Sequence, residues 1–270
     1  MKKIVYIFLL VVVLFSSGCA EKNSIDDKKI IVAASQTPHA EILEQTRAYI
    51  EARGYTLEIR VFSDYVLPNE AVFSGEVDAN FFQHLPYLED YNEKNKTDLV
   101  SVLKVHYEPL GIYKGRRTSL DDLENAKIAI ANDNSNGARG LLLLQDLNII
   151  KLDESKGMNV TINDIVENPH NVKIVELEAA VIPSQLADVD FGIINGNYAL
   201  EAAIPKSKLL GSEESDSLAA QTYANIIAVK AENKDKEAIR ILIEALCGEN
   251  IAEYINTTYQ GVVVPLINQD

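Results

Sequence analysis

The sequence predicts an α/β protein of two lobes joined by two chain crossings, a clamshell. Three observations lead there. Apolar runs of strand length alternate with helical stretches along the whole chain, the pattern of a mostly parallel α/β sheet. These elements fall into two blocks, one ending near Val105 and one running from about Pro109 to Tyr223. The tail from Ile226 holds one strand and two helices, too little to stand alone, so it must rejoin the sheet of the first block. The chain then crosses between lobes near His106–Pro109 and again near Tyr223–Asn225. One lobe comprises residues 28–107 plus 227–270, and the other comprises 108–226.

Each element follows from spacing. Lys29 to Ala34 is an apolar strand. His39 to Arg53 has helical spacing through Ile42, Leu43, Thr46 and Tyr49, and Gly54 supplies the stop. Leu57, Ile59 and Val61 alternate as in a strand. Pro68 opens a helix, Ala79 to Phe82 is a strand, Pro86 to Lys94 a helix and Leu99 to Val105 a strand. In the second block Leu110 to Tyr113, Lys127 to Ala131, Val172 to Val175 and Asp190 to Ile194 read as strands. Arg139 to Leu147 and Asn197 to Ala203 read as helices. Ile226 to Lys230 is the returning strand, followed by helices over Glu237 to Cys247 and Asn250 to Tyr259. No repeat or low-complexity tract interrupts this order.

The N-terminus is of a different kind. Lys2 and Lys3 precede an unbroken apolar run from Ile4 to Phe15, and Ser16-Ser17-Gly18-Cys19 leads into a polar stretch ending near Lys29. A positive start, a short apolar centre and small residues before a cleavage point make a secretory signal, too short to span a bilayer. It resembles a bacterial lipobox, with Ser16 where leucine is usual. Residues 1–18 would be removed, Cys19 would carry lipid, palmitate included, and 19–28 would form a tether. An ordinary signal peptide with an incidental cysteine is the plainer alternative. The only other cysteine, Cys247, lies on a helical apolar pattern and reads as a small hydrophobe, so no disulfide framework is expected.

Of the 270 residues, 47% are hydrophobic, enough for a sizeable core, and the net charge is −15. Lys2 and Lys3 belong to the leader, so the remainder carries −17. Nucleic acid is excluded as a partner, since no basic footprint exists. No Gly-x-Ser-x-Gly elbow, His-Glu-x-x-His or Cys/His nucleophile pair appears, so no enzyme is expected. His39, His84, His106 and His170 are scattered without ligand spacing. No metal and no cofactor are expected, and a metal-binding lipoprotein is kept only as an alternative.

Three regions carry candidate ligand chemistry. Asn132 to Arg139 lies between a strand and an apolar helix, where free N–H groups favour an anion. Asn136 and Arg139, three apart, face one side, and arginine grips carboxylates with two parallel bonds. A plain helix cap with a solvated arginine is the bland reading. Gly137 and Gly140 cost helix stability and suggest close approach of a ligand to backbone. Next, Phe82, His84 and Tyr87 at a strand end, with Tyr65, could wall an apolar slot suited to a thioether, while Phe81 alternates away into the core. Finally, Asn197 and Asn225 can offer both carbonyl and amide groups, which suits a zwitterion, although Asn197 also reads as a helix cap. On this reading Arg139→Ala abolishes binding with the fold intact, and Asn225→Ala weakens it.

His39-Ala40-Glu41-Ile42-Leu43, Asp64 to Asn69, Asp78 to His84, Asn132 to Asn136 with Arg139, and Asn195 to Ala199 occur in this order. Together they resemble the NlpA family of methionine-binding lipoproteins, over about Lys28 to Pro265. The resemblance implies a type II periplasmic-binding-protein-like fold and a lipid anchor on the extracytoplasmic face of the cell membrane. It also implies delivery of L-methionine, or a related small amino acid, to an ABC transporter permease with its ATPase. A methionine-containing dipeptide or another apolar amino acid is the alternative ligand. By the same resemblance Arg139, helped by Asn136, binds the α-carboxylate. Asn197 and Asn225 hold amino and carboxylate groups, and Tyr65, Phe82, His84 and Tyr87 enclose the side chain. The sequence departs from the family at Asn134, often proline there, and at Gly137 and Gly140, where bulkier residues are frequent.

Overall fold

A computed structural model of the protein describes residues 28–214 and 221–267. The leader and Cys19 lie outside the described residues. Two main sheets organise the described chain, each the base of one lobe. The first contains β1 (Lys29–Ala34), β2 (Thr56–Val61), β3 (Ala79–His84), β4 (Leu99–Tyr107), β12 (Asn225–Lys230) and β13 (Val264–Pro265), in the order β13-β4-β12-β3-β1-β2. The second contains β5 (Gly111–Lys114), β6 (Lys127–Ala131), β9 (Lys173–Leu177), β10 (Phe191–Ile194) and β11 (Leu209–Ser212), in the order β11-β5-β10-β6-β9. A ribbon of β7 (Lys151–Leu152) and β8 (Ile165–Glu167) stands apart. The chain leaves the first sheet after Tyr107 and returns to it at Asn225.

The helices are α1 (Glu41–Glu44), α2 (Arg47–Ala52), α3 (Leu67–Ser74), α4 (Leu85–Asn95), α5 (Asn134–Asp146), α6 (Ile182–Gln185), α7 (Gly196–Glu201), α8 (Glu237–Leu246) and α9 (Glu249–Tyr259). Ile239, Leu242 and Leu246 of α8 and Ile251 and Ile255 of α9 pack on Ile30, Val32, Phe81 and Ile227 of the first sheet. The tail joins the first block because these buried faces have no other surface to cover. Ile112, Ile128, Ile130 and Phe191 with Leu141 and Leu144 of α5 make the core of the second lobe.

Four expectations change. The sheets are mixed: β1 pairs parallel with β2 and β3, but β12 enters antiparallel between β3 and β4. In the second sheet β5 runs antiparallel to β10 and β11. A strand arriving from the other lobe is not bound to the βαβ crossover that enforces parallel pairing. The helix expected over His39 to Arg53 is broken into a wide turn at Gln36–Ala40, α1 and α2. At the break the buried Thr46 hydroxyl donates to the Leu43 carbonyl at 2.6 Å, competing with the helical ladder. Helix α5 starts at Asn134, five residues before the expected start, because the Asp133 carboxylate caps it by accepting the Asn136 N–H at 2.9 Å. Gly137 and Gly140 face strands rather than a ligand: a Cβ at 137 would lie 2.9 Å from the Ala131 carbonyl oxygen, and one at 140 would touch Ile130 and Ile193.

Candidate functional site between the two lobes

The ends of β3, α5, β10 and β12 converge where the sheets face each other. The cavity there encloses about 320 Å³ of empty space, its solvent mouth included. All eight residues singled out from the sequence line it: Tyr65, Phe82, His84, Tyr87, Asn136, Arg139, Asn197 and Asn225. Gln83, Glu108, Asn195 and Gly196 line it as well.

The first lobe supplies an aromatic wall. Tyr65 lies in the loop before α3, with its ring 5.7 Å from Phe82 and 5.8 Å from Tyr87. Strand alternation sends Phe82 to the cavity and Phe81 to the core, where Phe81 is fully buried. The Tyr87 hydroxyl donates to the Tyr65 carbonyl at 2.9 Å and fixes the loop. Behind the wall, Asn69, Asn80 and Gln83 form a buried amide network at 2.7–2.9 Å that ties α3 to β3. These are residues of two of the quoted motifs, and they serve the wall from behind.

His84 joins the lobes. Its Nδ1 accepts the Tyr87 N–H at 3.3 Å and so caps α4, which leaves Nε2–H to donate to Asn136 Oδ1 at 3.1 Å. Burial, with the Arg139 charge in support, lowers its pKa to about 3, so the ring is neutral. Asn136 Oδ1 also accepts from Asn195 at 2.7 Å, and its amide donates to Asp133 at 3.0 Å. The Asn136 side chain is thus engaged in holding the closed lobes together. Tyr65 adds a second bridge: its hydroxyl donates to Asn197 Oδ1 and its ring stacks on Tyr198 at 4.7 Å.

Arg139, in the second turn of α5, is 3% exposed. Nε and Nη2 grip the Glu213 carboxylate at 2.8 and 2.6 Å, Nη2 also donates to the Glu108 carbonyl at 2.9 Å, and the Tyr223 ring lies 4.4 Å away. Burial works against the charge, but the Glu213 carboxylate overcomes it and raises the Arg139 pKa above its ordinary value. Burial likewise opposes ionisation of Glu213, and the arginine overcomes it in the other direction. Tyr107 and the Leu110 N–H complete the Glu213 shell at 2.6 and 2.8 Å. Arg139 therefore ties α5 to both crossings, and Nη1 is the nitrogen left outside these bonds.

At the floor, the sequence separation of the histidines misleads: the fold brings His39 and His106 within 5.0 Å, around Glu108. His106 Nε2 donates to Glu108 Oε1 at 2.7 Å, and His39 Nε2 lies 2.9 Å from Asn225 Oδ1 and 3.5 Å from Glu108 Oε1. Burial lowers the pKa of His39 to about 4 and of His106 to about 3. Burial raises the pKa of Glu108, opposed by His39 and Arg139. Gly196 is required here, since a Cβ would sit 2.7 Å from Glu108 Oε2. These groups offer one ligand atom each within 4.8 Å of one another. Each histidine engages Asn225 or Glu108 through Nε2 and leaves Nδ1 without a partner, so the arrangement is a hydrogen-bonded cluster.

The loose ends decide what the cavity can hold. Asn197 is 2% exposed, and its Nδ2 is a buried donor with no partner. Arg139 Nη1 and Asn225 Nδ2 are further donors at the same wall, while Glu108 brings a carboxylate with no dedicated cation. Donors and a carboxylate in one cavity complement a carboxylate and an ammonium on one molecule.

Residues 30–267 match the model of the NlpA lipoprotein family. The chain belongs to the NlpA lipoprotein family. Among NlpA relatives, the methionine-binding lipoprotein MetQ of Bacillus subtilis is 38% identical, with 96% of each chain covered. A nutrient-binding protein from Burkholderia cenocepacia, solved bound to methionine, is 38% identical with a TM-score of 0.82, covering 88% of this chain and 99% of that one. A periplasmic substrate-binding protein of an ABC transporter from Coxiella burnetii is 36% identical with a TM-score of 0.81, covering 87% and 99%. The fold is accordingly the two-lobed, periplasmic-binding-protein-like one of this family.

Sequence reading did not single out Gln83, Glu108, Asn195 or Gly196 in this NlpA chain. Glu108 sits next to Pro109 in the first crossing, where a glutamate looks solvated. Asn195 and Gly196 lay inside a quoted motif whose attention went to Asn197. Among the described residues, no helix is long and apolar enough to cross a membrane.

Proposed function

We propose that this protein is the extracytoplasmic solute receptor of an ABC transporter, tethered through lipid on Cys19, and that it captures methionine as a zwitterion. The observation that carries the reading is the unpartnered Asn197 Nδ2. A buried donor without an acceptor costs about 1–3 kcal/mol. A ligand carboxylate seated between Asn197, Arg139 Nη1 and Asn225 removes that cost, and the ammonium faces Glu108. The methionine side chain then runs along Tyr65, Phe82 and Tyr87, where sulfur–aromatic contact is favourable. The MetQ name of one relative and the methionine in another point to the same ligand.

The protein performs no chemistry on the ligand: its carboxylates and imidazoles hold each other rather than flank a reacting position. Closure about the two crossings, after Tyr107 and before Asn225, presents one composite surface of both lobes to the permease. Micromolar affinity corresponds to about −8 kcal/mol, within reach of one buried zwitterion and a packed thioether. Mass spectrometry of ligand released on denaturation, followed by calorimetry with L-methionine, D-methionine and a methionine-containing dipeptide, tests the reading. Release of methionine and tight binding of one free stereoisomer is expected. Equal binding of several unrelated amino acids, or preference for the dipeptide, overturns it.

A further inference from the structure

Two buried histidines beneath the cavity touch no part of the proposed ligand. His39 and His106 are both fully buried, each has an unpartnered Nδ1, and both rings pack edge-on against Phe81, at 4.7 and 5.3 Å. Burying two imidazoles beneath a binding cavity is costly unless they do something that apolar residues could not.

The tautomer follows from the neighbours. His39 Nε2 faces two acceptors, Asn225 Oδ1 at 2.9 Å and Glu108 Oε1 at 3.5 Å, while Nδ1 faces none. The proton therefore sits on Nε2; a lone pair there would oppose the carboxylate and leave a buried Nδ1–H orphaned. Of the two ends of the Asn225 amide, only the oxygen can accept from Nε2–H, so the opposite orientation of that amide is disfavoured by a lost bond and a donor–donor clash. Asn225 opens β12 and lines the cavity. With its oxygen turned to His39, its NH₂ is committed to the other side.

We propose that His39 is a positioning residue that fixes the Asn225 amide with its NH₂ toward the carboxylate of the bound ligand. His106 supports it by taking up Glu108 Oε1, which leaves His39 Nε2 to serve Asn225 as its nearer acceptor. His39 acts on the ligand only through Asn225. This inference rests on the zwitterion reading and extends it to a residue beneath the cavity wall.

The pair His39→Gln and His39→Asn separates positioning from packing. Glutamine carries an NH₂ near the place of Nε2 and can still meet Asn225 Oδ1. Asparagine carries its amide near Nδ1 and cannot. Methionine affinity is measured by calorimetry in both variants, with and without Asn225→Ala, using millimolar methionine where binding is weak. We expect His39→Asn to weaken binding about ten-fold and His39→Gln to stay within about three-fold of the unaltered protein. With Asn225→Ala present, the Gln and Asn variants should differ by less than about two-fold, the sign of a coupled pair. Equal weakening by Gln and Asn, or an asparagine penalty that persists without the Asn225 amide, overturns the proposal. Failure of both variants to melt as the unaltered protein does overturns it too, since His39 would then be a core residue. Should the unaltered protein bind no free amino acid, it is the zwitterion reading that fails; binding without the coupling sinks only the role of His39.

Discussion

The two halves of the cavity are built by opposite means. The first lobe contributes rings, from Tyr65, Phe82 and Tyr87, whose only polar bonds run to backbone or to a neighbouring amide. The second lobe and the crossings contribute charges and amides nearly all of which are already bonded, with a few donors and one carboxylate left over. An apolar wall tolerates changes in side-chain shape, at a cost of about 1–3 kcal/mol per methylene-sized mismatch. A polar wall with fixed loose ends rejects a ligand lacking the matching group by far more. The aromatic half should therefore tune preference among side chains, while the polar half sets the demand for a free amino acid.

The sharpest way to break that division is Arg139→Ala. The sequence alone suggests loss of binding with an intact fold. The geometry predicts both losses, because the change strands Glu213 as a buried, uncompensated charge between the two crossings. Breaking a buried pair in this way costs about 3–5 kcal/mol of stability. Denaturant melting should show that decrease, alongside at least a hundred-fold weaker binding. Native-like melting with lost binding would return Arg139 to a purely ligand-facing role.

Acid comes next, and acts mainly through the imidazoles. His39, His84 and His106 have pKa values lowered to about 4, 3 and 3, so they stay neutral in the folded chain while the unfolded chain takes up protons near pH 6.5. Their contribution is fully present above pH 6.5 and is lost as pH falls. From pH 7 to pH 6 the loss is about 0.7 kcal/mol per histidine, or about 2 kcal/mol together. The raised pKa of Glu108 acts in the opposite direction at lower pH, so the window to measure is between pH 7 and 6. Unchanged stability across that window would mean that the imidazoles titrate in the fold as they do in the unfolded chain.

A smaller and more local effect belongs to Asn197. Removing a hydrogen bond to a charged group costs about 1.5–3 kcal/mol, so Asn197→Ala should weaken methionine roughly 10- to 100-fold. Asn197→Asp should weaken it further, since an acceptor then faces the ligand carboxylate. If Asp binds better than Ala, the ligand presents a donor at this point and its orientation is reversed.

How far the sequence disclosed this site also follows the division. Strand alternation told Phe82 from Phe81, and order along the chain brought eight lining residues together on paper. Local spacing does not encode what happens where the chain crosses between lobes. Glu108, in the first crossing, gains its meaning from His39, some seventy positions earlier, and from Gly196, nearly ninety later. Arg139 looked unpartnered because Glu213 follows it by 74 residues. The helix start was misplaced because Asn-Ser-Asn-Gly is poor helix former and hides the Asp133 cap. The parallel-sheet expectation failed for a related reason, since a strand returning from another lobe arrives in whichever direction the crossing leaves it.

The smallest effect tests the aromatic half by itself. Phe82→Leu keeps apolar volume but removes a ring from the slot flanked by Tyr65 and Tyr87. Methionine and norleucine present the same zwitterion and nearly the same shape, and differ in the sulfur. A sulfur–aromatic contact is worth about 0.3–1.5 kcal/mol, so the preference for methionine over norleucine should shrink by about two- to ten-fold. The polar half is untouched by the change, so norleucine itself should lose little affinity. Equal weakening of both ligands would show that Phe82 acts by closing the slot against water and contributes no preference for sulfur. A fall in binding of alanine, which barely reaches the rings, would show that the two halves are not independent.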